Sequence, residues 1–244
     1  MDVTSLPDDV LDAALTAAAE TLIQCLQAMS GLQGAKICII GGMAVREYMP
    51  ACRRTFVSAQ NPDPAWWPLM LTGACILVQD VDVLLFRPDD PIDNHSIRKK
   101  LVSRFPHLFE EGAEFLFFKY EDTDQLNRTW TCLVQVDMIP EYLPPYLPAQ
   151  AMMLEDVDVR HLPFIDPLDL LAYKIHCSSM RFCDKKRRRD AEDAMRLWRT
   201  RYGQEYVPLS EGQRDAIASG VDLMEEYSRQ CSWRKWRLRQ WVNQ

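Results

Sequence analysis

The most constraining feature of this sequence is an apolar segment, residues 76–86 (ILVQDVDVLLF), that carries two acidic residues in its middle. Its length and apolar composition predict a buried β-strand. Residues two apart in a strand project from the same face, so Asp80 and Asp82 lie side by side and Val81 points the other way. Neighbouring carboxylates in an apolar strand repel each other unless a cation such as Mg²⁺ neutralises them. A strand end that reaches solvent is the alternative interpretation.

A third acidic residue, Asp137, lies near the end of a second hydrophobic segment, residues 129–139 (TWTCLVQVDMI). If the two strands are neighbours in a sheet, Asp137 can face Asp80 and Asp82. Three carboxylates arranged in this way could hold one or two Mg²⁺ ions and stabilise charge that develops during attack on phosphorus. An ordinary turn position at the end of a strand is the alternative for Asp137.

A pair of glycines, Gly41 and Gly42, ends a short apolar segment, residues 36–42 (KICIIGG), and precedes a predicted helix over 43–48. Backbone N–H groups at a helix N-terminus point outward and attract anions such as phosphate. The order of strand, glycine pair and helix therefore predicts a phosphate-binding turn. A plain tight turn is the alternative.

Periodicity and turn residues predict an α/β half to about residue 150 and a helical half after it. Asp166 is predicted to cap a helix with Pro167 in its first position. A proline-rich stretch, residues 50–75, predicts a long loop or insertion. Besides the strands above, the segments 113–120 and 156–162 are predicted strands. The predicted helices, other than 43–48, are about 5–29, 96–105, 167–181, 184–201, 210–229 and 231–242.

Composition narrows the class of protein. The chain has 244 residues and a formal net charge of −7, so non-specific binding to nucleic acid through overall charge is not expected. Its eight cysteines include no CxxC pair, which argues against a zinc site or a disulfide framework. No signal peptide and no run of 18 apolar residues is evident. We therefore expect a soluble cytoplasmic protein with no membrane partner.

Three segments together, IIGGMAVREY (39–48), QDVDVLLF (79–86) and VQVDM (134–138), resemble the nucleotidyltransferase superfamily that includes DNA polymerase β. The helical half, with DPLDLLAYKIHCSSMR (166–181) and KKRRRDAEDAMRLW (185–198), is most similar to AbiEii-type toxin nucleotidyltransferases. The resemblance implies an α/β (α+β) fold, with a mixed β-sheet flanked by helices and a C-terminal helical bundle. The implied domains are 1–150, with an N-terminal helix and the 50–75 insertion, and 151–244.

The resemblance also implies a site for a metal and a nucleotide. Gly41 and Gly42 would cradle a nucleoside triphosphate. Asp80 and Asp82 would bind Mg²⁺ (or Mn²⁺), and Asp137 would complete the metal site or act as the base.

In the helical half, the resemblance implies that Lys174 reaches the phosphates and that Asp190 assists catalysis. Arg189, Asp190 and Asp193 match the family's pattern of a basic residue followed by D-x-x-D. Two alternatives stay open here. Lys174 could lie on the solvent-facing side of an amphipathic helix, and the two aspartates could pair with neighbouring arginines at helical spacing.

These features predict an Mg²⁺-dependent nucleotidyltransferase that moves a nucleoside monophosphate from a triphosphate to a hydroxyl or other nucleophile. The acceptor would be tRNA, a protein or a small molecule. One alternative is a catalytically inactive binding module on the same fold, in which the aspartates persist but the metal site is incomplete. The 50–75 insertion could bind substrate, or it could mark drift towards an inactive relative. Another is a toxin-like component of a two-protein system.

Overall fold

The computed structural model describes residues 8–50, 76–112, 115–123, 129–203 and 207–227. The helices of these segments are α1 (Asp8–Gln27), α2 (Gly41–Tyr48), α3 (Asn94–Arg104), α4 (Pro167–Met180), α5 (Asp184–Arg201) and α6 (Glu211–Tyr227). The strands are β1 (Lys36–Ile40), β2 (Ile76–Phe86), β3 (Phe109–Glu111), β4 (Leu116–Thr123), β5 (Thr129–Ile139) and β6 (Met152–Met153).

The six strands form one sheet in the order β3-β4-β5-β2-β1-β6. Strands β2 and β5 run parallel, and every other described pair is antiparallel. The predicted architecture, a mixed sheet flanked by helices and followed by a helical bundle, is confirmed. Because β2 lies between β1 and β5, the strand that carries the two aspartates is an interior strand.

The two faces of the sheet are covered by different helices. Val83 and Leu85 of β2 belong to an apolar cluster with the buried residues of α1, whereas Leu84 and Phe86 belong to a second cluster with α4 and α5. Side chains alternate along a strand, so Asp82 shares its face with Leu84. The aspartates of β2 therefore lie on the side of the sheet that the C-terminal helices cover.

Helix α4 begins immediately beside the sheet. Ile165 N–H donates to the carbonyl of Ile39 at 2.9 Å, and Ile39 N–H donates to that of Pro163 at 2.8 Å. The Asp166 carboxylate then accepts from Leu168 N–H at 2.8 Å, with proline at the first helical position, as predicted. This cap starts α4 at the end of β1, close to the glycine pair.

Several predicted bounds differ from those observed. The strand predicted over 156–162 is wrong, because Asp158 accepts hydrogen bonds from the backbone and side chain of Arg160 and forms a local turn. The short β3 was not predicted, since three residues are too few for a periodicity signal. The loop predicted over 50–75 lies outside the described residues except for residue 50, and the helix predicted over 231–242 lies wholly outside them. No helix among the described segments is long and apolar enough to cross a membrane.

Candidate metal and phosphate site

The three aspartates singled out by the sequence meet at one point of the sheet. Asp82 of β2 stands directly beside Asp137 of β5 in the parallel register. Asp80, Asp82 and Asp137 each offer a carboxylate oxygen, and these three oxygens lie within 4.8 Å of one another. Asp80 is exposed, whereas the other two are partly buried. The cluster thus opens to solvent at Asp80 and is closed by the sheet behind it.

An irregularity in β2 lies next to this cluster. The register with β5 shifts between Val78 and Val81, which pair with Val134 and Val136 respectively, so β2 contains one additional residue there. A bulge of this kind bends a strand locally and re-aims the side chains beside it. Asp80 lies inside this irregularity, and its orientation toward Asp137 is a property that strand alternation alone does not specify.

Gly41 lies against the cluster and has no room for a side chain. Its φ is +66°, and a Cβ placed on it would lie 1.7 Å from Oδ2 of Asp82. The neighbouring residue, Ile40, pairs with Asp82 across the antiparallel β1–β2 ladder. Gly41 and Gly42 form the first turn of α2, so the N-terminus of this helix adjoins the carboxylates. Glycine is required here by both the backbone conformation and the close approach of Asp82.

The carboxylates are held in a state that favours a bound cation. Burial, together with the charges of Asp80 and Asp137, raises the pKa of Asp82 from 3.8 to about 8. Burial also raises the pKa of Asp137, although Gln135 donates to both oxygens of that carboxylate, at 2.9 and 3.0 Å. Neither group can ionise at its usual pH without further positive charge. Three clustered oxygen ligands that need further positive charge fit Mg²⁺ or Mn²⁺.

The predicted cation of the helical half, Lys174, is buried on α4. Its Nζ donates to Oδ1 of Asp190 at 2.6 Å and lies 3.3 Å from Oδ2 of Asp193. Both aspartates project from α5 and are themselves buried. A lysine on the solvent-facing side of the helix is therefore the wrong alternative, and both aspartates lie against a lysine of another helix.

Lys174 also acts on the carboxylate cluster. Its positive charge lowers the pKa of Asp82, although burial and the two other aspartates outweigh that effect. Burial opposes ionisation of Asp190 as well, but Lys174 and Arg181 lower the pKa of that carboxyl below its usual value. Asp190 thus stays charged, and its two carboxylate oxygens orient Lys174 and Arg181.

Three further cations act on the cluster, and two of them, Arg181 and Arg98, were not singled out by the sequence. Arg181, just after α4, lowers the pKa of Asp82, and Lys186 and Arg98 lower that of Asp137. They come from three places: the end of α4, the first turn of α5, and α3. The basic run at 185–189 was a visible signal for Lys186, whereas nothing in the local pattern distinguished Arg98 or Arg181.

Comparison with known proteins adds a distant structural likeness. No protein-family model matches the chain. No curated protein matches its sequence. Among solved structures, the chain is similar to an antigenic nucleotidyltransferase-like protein from Paracoccidioides brasiliensis, with 16% identical residues and a TM-score of 0.49. The match covers 88% of this chain and 91% of that one. A likeness at this level assigns no function.

Proposed function

We propose that this protein is a divalent-cation-dependent nucleotidyltransferase that moves a nucleoside monophosphate from a nucleoside triphosphate to a nucleophile on an acceptor. The observation that carries the proposal is the meeting of three carboxylate oxygens within 4.8 Å, directly beside the glycine that opens α2. Carboxylates alone suit many cations. Carboxylates beside a helix N-terminus suit a cation together with a phosphate group.

Asp80, Asp82 and Asp137 would hold Mg²⁺ or Mn²⁺ in this proposal. The bound ion would neutralise the carboxylates and the triphosphate and so favour negative charge that develops at the α-phosphate. Asp137 has a raised pKa and is held at both oxygens by Gln135, which suits it to accept a proton from the attacking hydroxyl.

The phosphates would lie between the start of α2 and the helical half. The backbone N–H groups of the first turn of α2, at Gly41 and Gly42, favour an anion, and the absence of a side chain at Gly41 lets the carboxylate of Asp82 come close to this turn. Lys174, held in place by Asp190, would add positive charge from the C-terminal helices. Attack on the α-phosphate would release pyrophosphate as the leaving group.

The acceptor is proposed only by class: a hydroxyl or other nucleophile on a tRNA, a protein or a small molecule. The net charge of −7 favours an acceptor smaller than a long nucleic acid. An AbiEii-type relationship is proposed on the motifs of residues 166–198 alone.

The first test is calorimetric titration of ATP, GTP, CTP and UTP with Mg²⁺, on the wild type and on Asp80→Ala/Asp82→Ala. The expected result is metal-dependent binding of one or more nucleotides that the double variant loses. The control is Asp89→Ala/Asp90→Ala, which removes the same charge from the exposed turn after β2 and should bind normally. Failure of the folded wild type to bind any nucleotide would refute the proposal.

A second measurement separates an enzyme from a binding module. Pyrophosphate release is followed with the nucleotide that binds best, in the presence of fractionated small molecules, total tRNA and total protein as acceptors. Release that depends on Asp137, tested with Asp137→Asn, supports transfer. Tight binding without release from any acceptor pool would instead favour a non-catalytic nucleotide-binding module.

A further inference from the structure

Arg181 differs in its exposure from Lys174, the other cation that Asp190 holds. It is the first residue after α4, and about half of its side chain is accessible (50%). Its Nε donates to Oδ2 of Asp190 at 3.3 Å. Among the described residues, the structure gives no hydrogen-bond partner for its two terminal amino groups. Arg181 is therefore anchored at Nε, and its half-accessible side chain leaves the terminal nitrogens able to bind a ligand.

Lys174 is in the opposite situation. Its ammonium is buried and lies against two buried carboxylates, those of Asp190 and Asp193. One carboxylate, Asp190, therefore orients two cations: its Oδ1 accepts from Lys174 and its Oδ2 from Arg181. Of these two cations, only Arg181 is both accessible and within electrostatic reach of Asp82.

The chemistry of the guanidinium group suits a phosphate ligand. Its planar set of N–H donors matches pairs of phosphate oxygens, whereas an ammonium acts as a point charge. An arginine fixed at Nε by a carboxylate loses less side-chain entropy when its terminal nitrogens bind.

We propose that Arg181 makes the direct contact to the phosphate oxygens of the donor nucleotide, with Asp190 and Lys174 as the residues that position it. This inference rests on the proposed nucleotidyltransferase function and assigns the phosphate contact within that same site. It transfers to Arg181 the direct contact that the sequence alone suggested for Lys174.

The test uses inorganic tripolyphosphate with Mg²⁺ as the probe, so that the identity of the nucleobase does not matter. Affinity is measured by calorimetry for the wild type, Arg181→Ala, Arg181→Lys and a control, Arg199→Ala. Arg199 is exposed near the end of α5, roughly 13 Å along the helix axis from Asp190. We expect Arg181→Ala to weaken binding roughly tenfold or more, Arg181→Lys to recover part of it, and the control to stay within about twofold.

A second readout separates a phosphate contact from a merely structural role. Binding of Mn²⁺ alone, followed by electron paramagnetic resonance, should be unchanged or tighter in Arg181→Ala, because a positive charge near the carboxylates has been removed. Weaker binding of both Mn²⁺ and tripolyphosphate would mean that the substitution distorts the site, and it would overturn the inference.

The two proposals fail in different ways. If the wild type binds nucleotides or tripolyphosphate and Arg181→Ala binds them equally well, the role of Arg181 is refuted and the nucleotidyltransferase proposal stands. If the folded wild type binds neither tripolyphosphate nor any nucleotide, both proposals are refuted.

Discussion

Replacing Asp82 with asparagine should change how the stability of the cation-free protein depends on pH. The carboxyl of Asp82 has a pKa of about 8 in the folded protein, against an ordinary value of 3.8. Between these values the folded state holds a proton that the unfolded state has lost, so the free energy of unfolding falls as pH rises. Asparagine is uncharged and removes this dependence while it keeps nearly the same shape.

The size of the effect follows from the two pKa values. Each pH unit well inside the window costs about 1.4 kcal/mol, and the slope flattens near the folded pKa. From about pH 6 to about pH 8, the wild type should therefore lose about 2 kcal/mol relative to Asp82→Asn. The raised pKa of Asp137 and the lowered pKa of His176 also contribute to the pH dependence. To first order these two groups act in both proteins, so their contributions largely cancel when the free energies of unfolding of the wild type and Asp82→Asn are compared.

The assay is urea denaturation in the presence of a chelator, at several pH values, for the wild type, Asp82→Asn and the exposed control Asp89→Asn. Parallel stability curves for the wild type and Asp82→Asn across this range would show that Asp82 ionises normally and would refute the reasoning. Addition of Mg²⁺ near pH 8 should stabilise the wild type more than Asp82→Asn, because ligand binding to the folded state adds to its stability.

Two other substitutions test the surroundings of the cluster. Gly41→Ala should abolish metal binding and lower the thermal midpoint more than Gly34→Ala does. Both glycines have a positive φ (+66° and +72°), but only Gly41 lies against Asp82. Equal effects of the two substitutions in differential scanning calorimetry would contradict the close approach of Gly41 to Asp82. Lys174→Met should cost about 3 kcal/mol or more in urea denaturation, since it removes the buried cation that lies against both Asp190 and Asp193. A loss below about 1 kcal/mol would mean that the ion pair is hydrated, and Lys174→Arg serves as the charge-preserving comparison.

The sequence was most informative where a signal is local. Strands β2 and β5 and helix α5 have the predicted bounds, because runs of apolar residues and helical periodicity are properties of neighbouring residues. The Asp166 cap and its following proline are equally local. Strand alternation predicted that Asp80 and Asp82 share a face, but the additional residue of β2 between Val78 and Val81 means that alternation alone does not set the orientation of Asp80.

Only the tertiary structure decided which distant groups meet. The pairing of Asp82 with Asp137 required β2 and β5 to be parallel neighbours, although 55 residues separate the two aspartates along the chain. The contact between Gly41 and Asp82 depends on the register of β1 with β2, which the residue pattern of neither strand predicts. Sequence spacing identifies residues on one element, but contacts between elements depend on strand order and helix packing.

The helical half shows the same limit most clearly. In the sequence, Lys174 looked like a solvent-facing lysine or a phosphate ligand, and Asp190 like a partner for adjacent arginines. Packing of α4 against α5 buried Lys174 and Asp190 together, and it left Arg181 as the accessible cation beside them. The sequence by itself determined that carboxylates and cations would be present in this protein. The tertiary structure decided which charges neutralise each other and which remain available to a ligand, because burial and pairing arise only when the elements pack.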